Sequence, residues 1–370
     1  MQDIKKLSVI YNGRNVGTLA MFRPYQAAFQ YSDEWMNLGF SLNPFKLPLK
    51  KDVFIAKQEP FFGLHGIFND SMPDGWGRLL VDRMLLKKNI APETASILLR
   101  LAIVGKSGIG ALEYEPSFEE SHQLEMEDYD LLAQECRKIL NSESSDNLDY
   151  IFYLAGSSGG AKPKILTKID GVDWIVKFPS TYDPLDIGEM EYNYALCAKA
   201  CGISMPEVRL FPSKNCAGFF GVKRFDRDAG NTKIHMASVS ALLDVSHRVP
   251  ALDYNSLMAL TWKLTKNYND VENMFRLMCF NVFSHNRDDH SRNFSFLCCD
   301  GNWHLSPAYD LTYSNSIGGE HATTVNGEGM NPGKEHILAV AQKAGISKTA
   351  ALEIANTVQE TVSDQLSKYL

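Results

Sequence analysis

Three polar side chains in the C-terminal third could act together on a phosphate group. Asp288 and Asn293 stand with four residues between them in Asn286-Arg-Asp288-Asp-His-Ser-Arg-Asn293, and Asp310 follows in Ala-Tyr-Asp-Leu. A carboxylate such as Asp288 can accept or orient the proton of an attacking hydroxyl. A neutral amide oxygen with one further carboxylate suits Mg²⁺, whose remaining ligands are then nucleotide phosphates.

Two elements must position these groups. Apolar residues at Val271, Met274, Phe275, Met278, Cys279, Val282 and Phe283 follow the helical period, so a helix ends where the polar cluster begins. Phe294–Cys299 and Asn302–Pro307 read as strands joined by Asp300-Gly301. That register sets Asn293 opposite Ala308 and returns Asp310 beside Asn293. The spacing matches the H-R-D-x-x-x-x-N loop of protein kinases, with Asn286 in place of the histidine. Asp289 and Arg292 are expected to support the loop, and His290 to orient it by a hydrogen bond. A zinc site from His285, Asp288, Asp289 and His290 is the competing reading. It is disfavoured because neighbouring turn residues rarely aim at one tetrahedral centre.

A second cluster lies upstream, in Gly156-Ser-Ser-Gly-Gly-Ala-Lys-Pro-Lys164. Glycines let backbone N–H groups close on phosphate oxygens, and Gly159, Gly160, Ala161, Lys162 and Lys164 are candidate nucleotide contacts. The segment fits neither the Rossmann nor the P-loop fingerprint, and alone it could equally be an ordinary turn. Asp170-Gly171 is a two-residue hairpin turn whose register pairs Lys164 with Lys177. Two lysines placed opposite repel unless an anion sits nearby, the alternative being that they reach solvent in opposite directions. A helix is predicted over 184–200, with Asp183 as N-cap, Pro184 at its first position and Gly202 as its stop. Glu191 falls on its apolar face, where a carboxylate needs a cation such as Lys177, unless it sits at the edge and reaches water. Gly218–Phe225 reads as a buried strand ending in a connection between lobes. Backbone groups near Lys223 and Phe225 could there meet adenine.

The wider chain is consistent with an α+β protein. Lys6–Tyr11 and Val16–Met21 flank Asn12-Gly13 as a hairpin, and a helix follows Asp74 from Trp76 to Lys88. An acidic stretch over 116–130 reads as a linker or a surface helix start. The expected divisions are an N-terminal β-rich subdomain (1–115), a nucleotide-binding lobe (116–230) and a helical lobe (231–370), with the cleft between lobes as the default ligand site. The net charge of −7 makes the chain a poor autonomous nucleic-acid binder. No apolar run reaches membrane-spanning length and no signal-peptide pattern opens the chain, so a cytoplasmic location is expected. The seven scattered cysteines, with no C-x-x-C pair, read as reduced thiols.

Together Gly159-Gly-Ala-Lys-Pro-Lys164, Asp288-Asp-His-Ser-Arg-Asn-Phe-Ser295, Leu305-Ser-Pro-Ala-Tyr-Asp-Leu311, Ser71-Met-Pro-Asp-Gly-Trp-Gly77 and Val222-Lys-Arg-Phe-Asp-Arg227 resemble the HipA toxin kinases over nearly the whole chain. The resemblance implies a two-lobed, protein-kinase-like α+β fold with an extra N-terminal subdomain. It implies an ATP- and Mg²⁺-dependent serine/threonine protein kinase, with Asp288 catalytic, Asn293 and Asp310 on the metal, and Lys177 on ATP; His290 belongs to the same ATP-binding block. It implies autophosphorylation on the loop before the Gly-Ala segment, at Ser157 or Ser158, with Ser157 the better match. Characterised members phosphorylate an aminoacyl-tRNA synthetase, which arrests growth. A small helix-turn-helix antitoxin of the HipB kind restrains them, and DNA is met only through it. This chain is shorter in its C-terminal half than the best-known member, and its loop differs. Two alternatives stay open: an ATP-binding corepressor acting with such an antitoxin, and a small-molecule phosphotransferase.

Overall fold

The computed structural model describes residues 4–118, 128–145, 147–155, 160–316 and 318–370. The chain forms two compact units. The first comprises residues 1–189, 209–237 and 241–244, and the second 190–208, 238–240 and 245–370.

The first unit holds two antiparallel sheets. One has the spatial order Phe54–Ile55, Gln26–Tyr31, Arg14–Arg23, Lys6–Tyr11, Leu112–Glu115. The other runs Lys164–Ile169, Val172–Lys177, Phe219–Lys223, Val208–Phe211. Their hairpins turn at Asn12-Gly13 and Asp170-Gly171, where both residues have positive φ (+47° and +78°; +51° and +78°). Those dihedrals match the strand twist, which is why a short polar residue followed by glycine specifies the turn. Beneath the second sheet lies an apolar core. Ile165, Val176, Phe178 and Phe219 from the sheet side meet Trp76 and Leu80 of the helix Gly75–Lys87, Cys136 of Tyr129–Leu140 and Ile151 of Leu148–Ala155.

The second unit is mainly helical, built from Tyr254–Thr265, Tyr268–Phe283, Lys334–Lys343 and Lys348–Gln365, with the helical residues from Met190 to Ala200. Val271, Met274, Phe275, Met278 and Cys279 are buried, as their period requires, while Val282 and Phe283 at the helix end are half-buried. One hairpin, Ser295–Cys299 with Asn302–Leu305, turns at Asp300-Gly301 with φ of +49° and +85°. Among the described residues no helix is long and apolar enough to cross a membrane.

Candidate active site

The catalytic-loop candidate is a short exposed rise between two buried anchors. The helix Tyr268–Phe283 ends with Ser284 N–H donating to the Phe280 carbonyl, and His285 breaks it with φ +52°. Asn286 is buried, and its amide donates to Asn281 Oδ1 at 2.9 Å. Asn281 donates to the Tyr254 hydroxyl at 2.9 Å, and that hydroxyl donates to Asp289 Oδ2 at 2.8 Å. Asp289 also meets His321 Nδ1 at 3.0 Å and accepts from the Thr323 N–H at 3.2 Å, while its carbonyl accepts from Thr323 Oγ1. Burial and the adjacent Asp289 charge push the Tyr254 phenol well above its ordinary range, so it remains a donor. Asp288, between the anchors, keeps 60% of its side chain exposed.

The loop then folds back on itself. Asn293 N–H donates to the His290 carbonyl at 2.8 Å, and Asn293 Nδ2 to the Asp288 carbonyl at 2.7 Å. With its amide nitrogen so held, Asn293 has Oδ1 as its acceptor, the atom a cation would take. His290 Nδ1 accepts from Arg292 N–H at 3.2 Å, and Nε2 lies 3.9 Å from Asp288 Oδ1. The ring thus accepts from the loop's own backbone and lies 5.5 Å from the His247 ring.

The returning hairpin keeps the expected register, Phe296 facing Leu305 and Cys299 facing Asn302, but it stops short. Ser306 N–H still donates to the Ser295 carbonyl at 3.0 Å. Pro307 has no N–H to extend the ladder, and Ala308 donates to Ser204 instead of standing opposite Asn293. Tyr309 makes the return: its hydroxyl donates to the Arg292 carbonyl at 2.5 Å and meets Ser295 Oγ at 2.5 Å. Asp310 follows, exposed, at φ +56°. A non-glycine residue held in the left-handed region marks a place where surroundings dictate the backbone. Among the described residues no group of three or more His, Cys, Asp or Glu could hold a metal ion. The zinc alternative fails because Asp289 is turned inward onto Tyr254 and His321. One amide oxygen and one carboxylate do fit Mg²⁺, which retains waters and takes phosphate oxygens.

The second cluster lies in the first unit. Ser157, Ser158 and Gly159 fall outside the described residues. Gly160 has φ +85°, and the Lys164 ammonium fills the space its Cβ would need, 2.8 Å away. Lys164 does pair with Lys177. Directly opposed residues share one face of a sheet, and Lys164 is buried, so the two lysines do not diverge into solvent. The Lys177 ammonium sits 5.4 Å from the Phe220 ring centroid. Ala161 is exposed and Lys162 half-buried.

Lys223 pairs with Trp174, three residues along the strand from Lys177. Its side chain therefore projects from the sheet face opposite to Lys177, and only its backbone can serve an adenine. Arg224 N–H is already committed to the Asp173 carbonyl. Phe225 is half-buried. The helix after the sheet begins at Ile187 and not at Pro184, because Asp183 accepts from Ser180 N–H and holds a turn there. Glu191 is 3% exposed, so it does not reach water from the edge of the stripe.

Residues 7–115 match the HipA N-terminal domain, and residues 156–366 match the HipA-like C-terminal domain. This chain belongs to the HipA family. Its fold is similar to that of HipA from Shewanella oneidensis MR-1, solved as a toxin–antitoxin complex of HipA, HipB and operator DNA. The TM-score is 0.71 at 16% identity, over 98% of this chain and 90% of that one, which speaks for the fold alone. A proinflammatory kinase of Helicobacter pylori, CtkA, aligns with 57% of this chain and 90% of its own at 12% identity. Its TM-score of 0.37 is too low to carry an argument. No curated protein matches the chain.

Within the HipA frame, the Val222–Arg227 motif is a structural clasp. Arg224 donates to both Asp226 oxygens, at 2.9 and 2.6 Å, and to the Gly108 carbonyl. Asp226 accepts from Gly110 N–H at 2.7 Å, and Arg227 reaches Asp226, Asp173 and the Gly110 carbonyl. The clasp ties the strand Phe219–Lys223 to the end of the HipA N-terminal segment. Tyr254, Asn281, His321 and Thr323 were not marked as site residues by the sequence. Asn281 alone carried a signal, an amide on a helix whose other buried positions beyond its first turn are apolar.

Proposed function

We propose that this HipA-family chain is the toxin of a toxin–antitoxin pair and an ATP-dependent serine/threonine protein kinase. The observation that carries the reading is the loop itself: Asp288 presented to solvent between buried Asn286 and Asp289, with Asn293 hydrogen-bonded to its carbonyl. Such rigid presentation is what a group that must meet a substrate hydroxyl needs. Asp288 accepts or orients the serine hydroxyl proton. Asn293 Oδ1 and the Asp310 carboxylate hold Mg²⁺, which when bound would neutralise charge on the nucleotide phosphates. Gly159, Gly160, Ala161 and Lys162 close on those phosphates, Lys164 and Lys177 supply positive charge, and Glu191 keeps Lys177 in place. His290 keeps the loop in shape beside Asp288, and the backbone near Lys223 and Phe225 meets adenine.

Autophosphorylation at Ser157 or Ser158 would add up to two negative charges beside these lysines and switch the enzyme off. The partners are a small helix-turn-helix antitoxin, as the Shewanella complex suggests, and a protein substrate, for which an aminoacyl-tRNA synthetase is the first candidate. The test is transfer of labelled γ-phosphate from Mg-ATP to lysate proteins by wild type and Asp288→Asn. Loss of a general base costs about 10²–10⁴-fold, so the variant should be near background and no longer arrest growth. A wild-type protein that labels neither itself nor any protein sinks the reading. Unimpaired operator repression by both proteins, with neither toxic, would point to a corepressor.

A further inference from the structure

Ser71-Met-Pro-Asp-Gly-Trp-Gly77 belongs to the HipA N-terminal segment, yet its central residues lie against the glycine-rich loop. Asp74 caps the helix Gly75–Lys87 by accepting from Gly75 N–H at 2.8 Å. Trp76 N–H donates to the Gly160 carbonyl at 3.0 Å, and Trp76 Nε1 donates to the Lys164 carbonyl at 3.2 Å. Between them, the Pro163 carbonyl accepts from Phe178 N–H at 2.8 Å. Three carbonyls of the loop's descending arm are thus tied down, two of them by one residue 84 and 88 positions earlier. Trp76 is 1% exposed and packs in the core with Ile165, Val176 and Phe178, so it cannot yield without disturbing that core.

The fit leaves no slack. Gly75 has φ +44°, and a Cβ there would lie 2.4 Å from the Gly160 carbonyl oxygen and 2.8 Å from Ala161 Cα. In a trans peptide the C=O and N–H point in opposite directions. Holding the Gly160 carbonyl toward the helix therefore turns the Ala161 N–H away from it, the orientation in which a backbone amide can serve a phosphate oxygen.

We propose that Gly75 and Trp76 are positioning residues for nucleotide binding: the HipA N-terminal segment sets the conformation of residues 160–164, the descending arm of the glycine-rich segment. This rests on the kinase reading above. The experiment uses the full chain as wild type, Gly75→Ala, Trp76→Phe and, as a control on the same helix, Leu86→Ala, whose side chain is exposed. Mg-ATP affinity is measured by calorimetry, folding by circular dichroism, KM and kcat from phosphate transfer, and amide exchange by NMR or mass spectrometry.

Gly75→Ala should weaken ATP binding about tenfold or more, equivalent to about 1.4 kcal/mol. Trp76→Phe, which loses only the indole N–H and some volume, should weaken it severalfold. KM for ATP should rise while kcat at saturation changes less than threefold, and the Leu86 variant should match wild type. Should Gly75→Ala fail to fold, Trp76→Phe decides. Folded variants that bind ATP within twofold of wild type overturn the proposal, as does a loss of stability with unchanged affinity. If wild type itself binds no ATP, the kinase reading has failed and exchange decides the clamp. The Trp76 and Phe178 amides should then exchange faster in Gly75→Ala, and unchanged exchange overturns it.

Discussion

Replacing Asp226 by Asn should destabilise the first unit severely, and the structure sets the size of the effect. The Arg224–Asp226 pair is 2.6 Å apart, with both side chains 5% exposed. At an effective dielectric constant near 20 the gross attraction is about 6 kcal/mol. Desolvation offsets much of this, yet removing one member leaves a buried charge behind, and such losses run at about 3–5 kcal/mol. Asparagine keeps the shape and the oxygen that accepts from Gly110 N–H, but turns an amide N–H donor toward the Arg224 Nε–H, so the change removes the charge together with one hydrogen bond. At roughly 2–4 °C per kcal/mol for a unit of this size, the melting temperature should fall by about 6–20 °C. Burial alone would raise the Asp226 carboxyl, but the charge and hydrogen bonds of Arg224, with Arg227 and the Gly110 N–H, outweigh it and hold it below the ordinary aspartate range. A depressed carboxylate contributes stability that is complete above its unfolded value and is lost as pH falls through the folded one. The gap between wild type and variant should therefore be full at pH 7 and narrow below about pH 4. Thermal and urea unfolding followed by circular dichroism from pH 3 to pH 7 reads both quantities. A variant within 1 kcal/mol of wild type at pH 7, or a gap that widens in acid, refutes the reasoning.

Other outcomes follow from the same geometry. Tyr254→Phe removes the hydroxyl between Asn281 and Asp289 and should cost about 1–3 kcal/mol; phosphate transfer should slow at unchanged KM for ATP, and equal stability and rate in the two proteins would show that the chain of bonds does not support the loop. His235 is buried and His65 half-buried, and loss of hydration lowers each to about 4 despite their bonds to the Leu42 and Phe54 carbonyls. Both must therefore be neutral in the fold, and stability should fall as pH drops from about 6.5 toward 4, with His235→Gln flattening that decline in urea midpoints.

Local chemistry alone determined several parts of this protein. Asn12-Gly13, Asp170-Gly171 and Asp300-Gly301 can take the left-handed dihedrals of a tight hairpin; the latter two each fix a register without help from afar, whereas the register begun at Asn12-Gly13 shifts between Val9 and Ile10. The Lys164–Lys177 pairing and the helix before the Asp288 loop follow from such near neighbours, and the D-x-x-x-x-N spacing is itself local. Tertiary structure decided the rest. Asp288 and Asp289 are adjacent and chemically identical, yet one is presented and the other is buried. The difference comes from Tyr254 and His321, 35 and 32 residues away, which supply the donors that make burial of one carboxylate tolerable. The residue before Asp310 is tied to the loop by the Tyr309 hydroxyl, not by a continued ladder, because Pro307 cannot donate. Residues 160–164, the end of the glycine-rich segment, are held by Trp76, which no reading of that segment's own residues could reveal. Dihedral preferences act over two or three residues, so sequence displays them directly. Which buried polar group finds which partner depends on how distant segments meet, and only the folded chain specifies that.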